Sequence, residues 1–250
     1  MKTVRMEEMN WPDIKDAIAK GFTTAVLAIG STEQHGPHLP LITDTMIGDM
    51  LAKKVAEKLG NALQAPTIRV GLSEHHLAFP GTISLKPETL KAVINDFVDS
   101  LKVHGFKKIV LLPSHGGNFA TVKKVTEELQ LKYQDLKIIG FTDLQGFVGA
   151  LFAYSKEYGV TAYEAGAHAG ESETSFILAL AENLVRKDRY APGYLGPLGE
   201  QEMKIIFEKG MPALSEKGVL GDPAKATREK GKVYIEKLTD FVVAQIRNSL

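Results

Sequence analysis

Four short runs along the chain are apolar almost throughout, without the strict alternation of a strand that has one face in water. They are Ala25–Ile29 (AVLAI), Ala65–Val70 (APTIRV), Lys108–Leu112 (KIVLL) and Leu136–Phe141 (LKIIGF). That pattern predicts parallel strands covered on both faces. Between them apolar positions recur at helical spacing. From Asp44 to Gly60 they are Met46, Ile47, Met50, Leu51, Val55 and Leu59, with Gly60 set to stop the helix. Pro87 opens another helix, where its missing N–H costs nothing, and Leu90, Val93, Ile94, Phe97, Val98 and Leu101 form its stripe. Further helices are predicted over about 119–133, 172–184 and 226–246.

Strand–helix alternation of this kind predicts an α/β fold. The expectation is a single domain over residues 1–250, with a central, mainly parallel sheet and helices on both faces. Residues 190–223 are rich in Gly and Pro and read as a long surface excursion. Open α/β sheets bind ligands beyond the carboxyl ends of their strands. The segments that follow the strands are therefore where chemistry is expected.

Composition narrows the classes. The 250 residues are 44% hydrophobic and 24% charged, ordinary globular usage. Thirty basic and thirty acidic side chains give a formal net charge of zero, which argues against a nucleic-acid partner or a polybasic membrane-surface role. There is no cysteine, so any metal must be held by His, Asp and Glu. The opening stretch MKTVRMEEMNWPDIKDAIAKG is mixed polar, and no run of about 18 apolar residues occurs, so a cytoplasmic protein without a membrane span is expected.

The first strand is followed by Gly30-Ser31-Thr32-Glu33-Gln34-His35-Gly36-Pro37-His38, and then Asp44. In extended chain, residues two apart point the same way, so Glu33 and His35 form a half-site of carboxylate and imidazole. Asp44 is a further acid, its rival role being a helix N-cap. After the third strand comes Ser114-His115-Gly116-Gly117-Asn118, whose glycines let the backbone come close to something bound. A phosphate-binding turn is the rival reading, but the spacing matches neither dinucleotide nor P-loop fingerprints. In Ala167-His168-Ala169-Gly170-Glu171-Ser172-Glu173, Glu173 shares a helix face with Ile177, Leu180 and Leu184, and a buried acid there needs a cation or a strong donor set, a structural ion pair being the rival reading. Glu171 is free to face solvent or the helix N-terminus. His75 and His76 are adjacent, so in extended chain at most one faces a shared site. His104 reads as a helix-end group, and His38 as a lining or bracing residue.

Glu33, His35, Asp44, His115 and Glu173 together supply three acids and two imidazoles, enough for two neighbouring divalent ions if one acid bridges. Such a pair suits hydrolysis, and leaves His168 to carry a proton to a leaving nitrogen.

The segments GSTEQHGPHLPLITD, EHHLAFPGTISL, SHGGNFATV, HAGESETS and GVLGDPAKAT lie in order between residue 30 and about 227. Together they resemble the creatininase (creatinine amidohydrolase) family. The resemblance implies an α/β fold, a dinuclear centre of zinc or manganese and in some members iron, a small-molecule substrate, and a homo-oligomer, often a hexamer. By motif, Glu33, Asp44 and His115 would hold one ion and His35, Asp44 and Glu173 the other, with Asp44 shared. His168 matches the histidine that protonates the leaving nitrogen. Creatinine-cleaving members carry a glutamate where this chain has Gly117 and a tryptophan where it has Glu164, and the only tryptophan here is Trp11. These departures point away from creatinine. The expectation is a metal-dependent amidohydrolase cleaving a C–N bond in a cyclic amide, formamide or small amide. The alternatives are a peptidase that trims a peptide precursor, and a non-catalytic metal-binding scaffold.

Overall fold

The computed structural model describes residues 2–249. After a first helix α1 (Trp11–Ala19), the chain enters strand β1 (Thr24–Ile29) and returns through α2 (Thr43–Leu59) to β2 (Ala62–Gln64). Helix α3 (Pro87–Val103) leads to β3 (Lys108–Pro113), and α4 (Phe119–Lys132) leads to β4 (Lys137–Gly140). Then follow α5 (Leu144–Lys156), the single turn α6 (Ala162–Ala165), α7 (Glu171–Ala181), α8 (Glu200–Lys209) and α9 (Arg228–Ser249). The strands are parallel throughout, in the order β2-β1-β3-β4.

The apolar strands work as predicted. In β1, Ala25, Leu27 and Ile29 join one core layer with α1, α3 and α4, while Val26 and Ala28 join the other with α2, α5, α7 and α9. In β3, Ile109 and Leu111 face the first layer, and Val110 and Leu112 the second. Each strand thus buries both faces, which is why no polar alternation shows in the sequence. Helix α2 ends at Gly60, whose φ of 80° is the left-handed stop foreseen for it.

The order puts β1 and β3 side by side, yet the chain leaves their carboxyl ends toward opposite faces of the sheet. That is a topological switch point, where a crevice opens beyond the strand ends.

Three expectations change. The second strand lies at residues 62–64 rather than 65–70, because Pro66 has no N–H to give a ladder. The next residues still follow β1, with Ile68 bridging Ile29. Helix α7 ends at Ala181, so Leu184 lies beyond it and is exposed. The 190–223 excursion carries α8, and its last part runs back into the molecule. Leu220 N–H donates to the His168 carbonyl at 2.8 Å, pinning that loop to the site. Among the described residues no helix is long and apolar enough to cross a membrane.

Candidate metal centre

Beyond β1 the chain turns inward at once. Glu33 and His35 are both fully buried, and Glu33 meets His115, which follows β3. Asp44 does not cap α2. Residue Ile42 holds that position, and Asp44, in the first turn, points into the crevice at 3% exposure. Ser114 Oγ donates to the Asp44 carbonyl at 2.8 Å, tying the start of α2 to the end of β3. Asn118 completes the frame. Its Nδ2 donates to the carbonyls of Ile29 (3.1 Å) and Gly30 (3.0 Å), and its Oδ1 accepts from Leu72 N–H. Glu173 arrives on the first turn of α7. Its Oε2 accepts a 2.6 Å bond from the N–H of Ala169, a residue held at a φ of 54°. Such a left-handed alanine costs conformational energy that the carboxylate contact offsets. The positive ends of α2 and α7 thus lie at the buried Asp44 and the half-buried Glu173.

The histidines show which nitrogen faces inward. His35 Nδ1–H donates to the Glu33 carbonyl at 3.2 Å, so Nε2 is left facing Asp44 Oδ1 at 3.4 Å and Glu173 Oε2 at 3.8 Å. His115 Nε2–H donates to the Leu72 carbonyl at 3.0 Å, so Nδ1 is left facing Asp44 Oδ2 at 3.2 Å and Glu33 Oε1 at 3.3 Å. Asp44 therefore offers one oxygen to each imidazole. Glu33 Oε1, His35 Nε2 and Asp44 Oδ2 are buried and have no hydrogen-bond partner among the described residues. Lone pairs of nitrogen and carboxylate oxygen facing one another across 3–4 Å need positive charge between them. Imidazoles that spend their outer N–H on a backbone carbonyl are oriented as metal ligands are. The donor set, all oxygen and imidazole nitrogen, suits zinc or manganese.

Without a cation, protons play its part. Burial disfavours a charged ring, but the Asp44 carboxylate, backed by Glu173 and Glu33, prevails and pushes His35 up to about 9. His115 is driven well above its ordinary value in the same way, by Glu33 and Asp44 against burial. Burial raises Glu173 to about 7, against the pull of His35.

His168 stands beside this cluster, its ring centroid 4.1 Å from that of His35 and its Nδ1 3.8 Å from Glu33 Oε1. The six residues singled out from sequence thus converge. The sequence left open which of His75 and His76 faces the site; it is His76 whose Nε2 lies 3.4 Å from Glu33 Oε1. The extended chain assumed there is a 3₁₀ turn (Glu74–His76), which brings the two adjacent rings together at 4.2 Å and stacks His75 on His115 at 5.9 Å. His38 is a brace: it is buried, with Nε2 3.0 Å from Thr174 Oγ1. His104 sits exposed after α3.

Two readings need correction. Glu171 does not face solvent. It is fully buried, accepting from Ser155 (3.0 Å), Ser175 (2.9 Å) and Tyr234 (3.2 Å), with Lys230 Nζ at 3.4 Å. Helix α7 is buried nearly all round, so helical phase does not separate its glutamates. And Gly117 does not make room for a ligand. A Cβ there would stand 2.5 Å from the Leu72 carbonyl oxygen and 2.6 Å from His115 Nε2, so the glycine makes room for the hydrogen bond that orients His115.

Fold and site together define a parallel α/β protein with a carboxylate–imidazole centre at its switch point. The family profile described as creatinine amidohydrolase matches residues 7–246, and the chain belongs to the creatininase family. It is 34% identical over 227 residues to the mycofactocin precursor peptide peptidase of Mycolicibacterium smegmatis, covering 89% of this chain and 83% of that protein. It is 28% identical over 262 residues to the creatinine amidohydrolase of Pseudomonas putida, covering 98% and 97%. A solved manganese creatininase superposes with a TM-score of 0.81 at 27% identity, covering 99% of this chain and 98% of that one.

Proposed function

We propose that this protein is a metal-dependent amidohydrolase with two divalent ions per chain. Glu33, Asp44 and His115 would hold one ion, and His35, Asp44 and Glu173 the other. The observation that carries this is Asp44, whose two buried oxygens each face a different imidazole at 3.2 and 3.4 Å. Divalent ions in such a pair lower the pKa of water and polarise an amide carbonyl. The chain's own residues supply the rest. The Ser31 hydroxyl donates to Glu33 Oε2 at 3.0 Å and orients that carboxylate. The buried walls exclude bulk water, and His168 carries a proton to the departing nitrogen.

Creatinine is a poor fit. The position at which creatinine-cleaving members carry a tryptophan is Glu164, which accepts from Thr161 N–H at 2.9 Å and pairs with Lys225 at 2.8 Å. A capping acid held this way offers no flat apolar wall. A peptide amide is the second reading, favoured by the peptidase relative at 34% identity. Turnover of cyclic amides, formamides and short peptides by protein loaded with Mn, Zn or Fe tests both. Activity should vanish on chelation and return with metal, and creatinine should be turned over weakly or not at all. Full activity of metal-free protein would refute the reading. The hexameric assembly, the cytoplasmic setting and the single-domain extent rest on the family resemblance and the sequence pattern.

A further inference from the structure

The side chain between the two proposed ligands Glu33 and His35 is Gln34, which is buried. Its Oε1 accepts from Gly36 N–H at 2.8 Å, which fixes the orientation of the amide and aims Nε2 at three groups: His76 Nδ1 (2.7 Å), His168 Nε2 (2.9 Å) and the Gly218 carbonyl (3.1 Å). A carboxamide has two protons to give, so one of these contacts is not a bond donated by Gln34. The His168 ring decides which. Its Nε2 also lies 2.8 Å from the Gln34 backbone carbonyl, an atom that can only accept. His168 Nε2 therefore carries a proton and donates it to that carbonyl. The two amide protons then go to His76 Nδ1 and Gly218 O. Three donors then meet three acceptors, one to one, whereas a bare His168 Nε2 would leave the Gln34 carbonyl facing a lone pair.

We propose that Gln34 is a positioning residue that gives the two histidines over Glu33 opposite faces. Both rings are Nε2–H tautomers, but they enter the site from opposite ends. His168 shows Glu33 and the crevice its bare Nδ1, the nitrogen 3.8 Å from Glu33 Oε1. His76 shows its Nε2–H, 3.4 Å from the same oxygen. His168 is thus built to take a proton from the attacking water at Nδ1. It passes that proton to the leaving nitrogen as the new C–O bond replaces the C–N bond, so no proton is gained or lost. His76 has no lone pair to offer. Although Glu33, His76 and His168 bring ligand atoms within 4.8 Å of one another, His76 turns an N–H and not a lone pair toward Glu33, so it is not a metal ligand.

The inference rests on the amidohydrolase reading for its catalytic consequence but not for its proton assignment, and the test separates the two. Imidazole ¹⁵N NMR on the full chain, chelated and then zinc-loaded, reads the tautomers without a substrate. His76 and His168 should both appear as Nε2–H forms in both states. In Gln34→Glu the donor at Nε2 becomes an acceptor, and His76 should switch to the Nδ1–H form. With zinc content and Tm near wild type, kcat on the amide turned over by the wild type should fall by about 10²-fold, with KM within about twofold. Should Gln34→Glu not fold, Gln34→Met removes the donor without adding charge, and His76 should then show averaged tautomer shifts. An Nδ1–H form of His76 in the wild type, or His76 shifts unchanged in the folded variant, would overturn the assignment. The right tautomers in a protein that cleaves no amide would leave Gln34's role standing and remove the amidohydrolase reading instead.

Discussion

Glu171 and Glu173 lie two residues apart on the same first turn, yet they do different work. Glu173 reaches the cluster around Asp44 and His35. Glu171 turns the other way and gathers Ser155 of α5, Ser175 of α7, and Tyr234 and Lys230 of α9 around one carboxylate. It is a buried knot between three helices rather than a ligand. Glu171→Gln should therefore lower stability by about 1–3 kcal/mol, since charge-assisted bonds are weakened and Lys230, mostly buried, loses its counter-charge. Its metal content should be that of the wild type. Denaturant titration beside elemental analysis checks both, and a variant of unchanged stability that had lost metal would reverse the two roles. The sequence could not separate these acids, because the argument from helical phase assumes a helix with a wet face, and α7 has almost none. The acids and imidazoles after β1 and β3 were legible because strand ends in this architecture face the crevice. Gln34 and His76 were not: the meaning of a carboxamide lies in its partners, and a 3₁₀ turn leaves no periodic trace.

At the scale of elements, the strands were readable where both faces are apolar, and misplaced only where Pro66 broke the ladder. The loops between strand and helix were harder. The sequence Gly116-Gly117-Asn118 reads as space for a ligand, but its glycine and asparagine serve the protein's own frame, Gly117 beneath the His115 ring and Asn118 across the ends of β1 and β3. Gly117→Ala should push the Leu72 carbonyl away from His115 Nε2, freeing the ring to rotate. The expected result is a metal affinity lower by about 10-fold to 100-fold, the usual cost of losing a supporting partner of a metal-bound histidine. Competition against a chelating dye measures it. An unchanged affinity would mean that the Leu72 bond does not orient His115.

For the whole molecule, the switch point between β1 and β3 concentrates like charge in a dry place, and something positive must answer it. In metal-free protein at pH 7, His35, with its pKa pushed up to about 9, holds a proton that a bound ion must displace. Loading should therefore release protons at pH 7. Affinity should weaken as pH falls below about 9, where proton and cation compete for the same nitrogen. Calorimetry of zinc binding in buffers of different ionisation enthalpy reads the release directly, and no dependence on buffer would contradict it.

In the proposed centre Asp44 would be shared between two ions, with Glu173 serving only one. The most direct measurement is metal stoichiometry, by elemental analysis after zinc loading, in wild type, Glu173→Gln and Asp44→Asn. Two ions per chain are expected in the wild type, one in Glu173→Gln, and almost none in Asp44→Asn. Two ions retained in Glu173→Gln, or one held as firmly as before in Asp44→Asn, would contradict that arrangement.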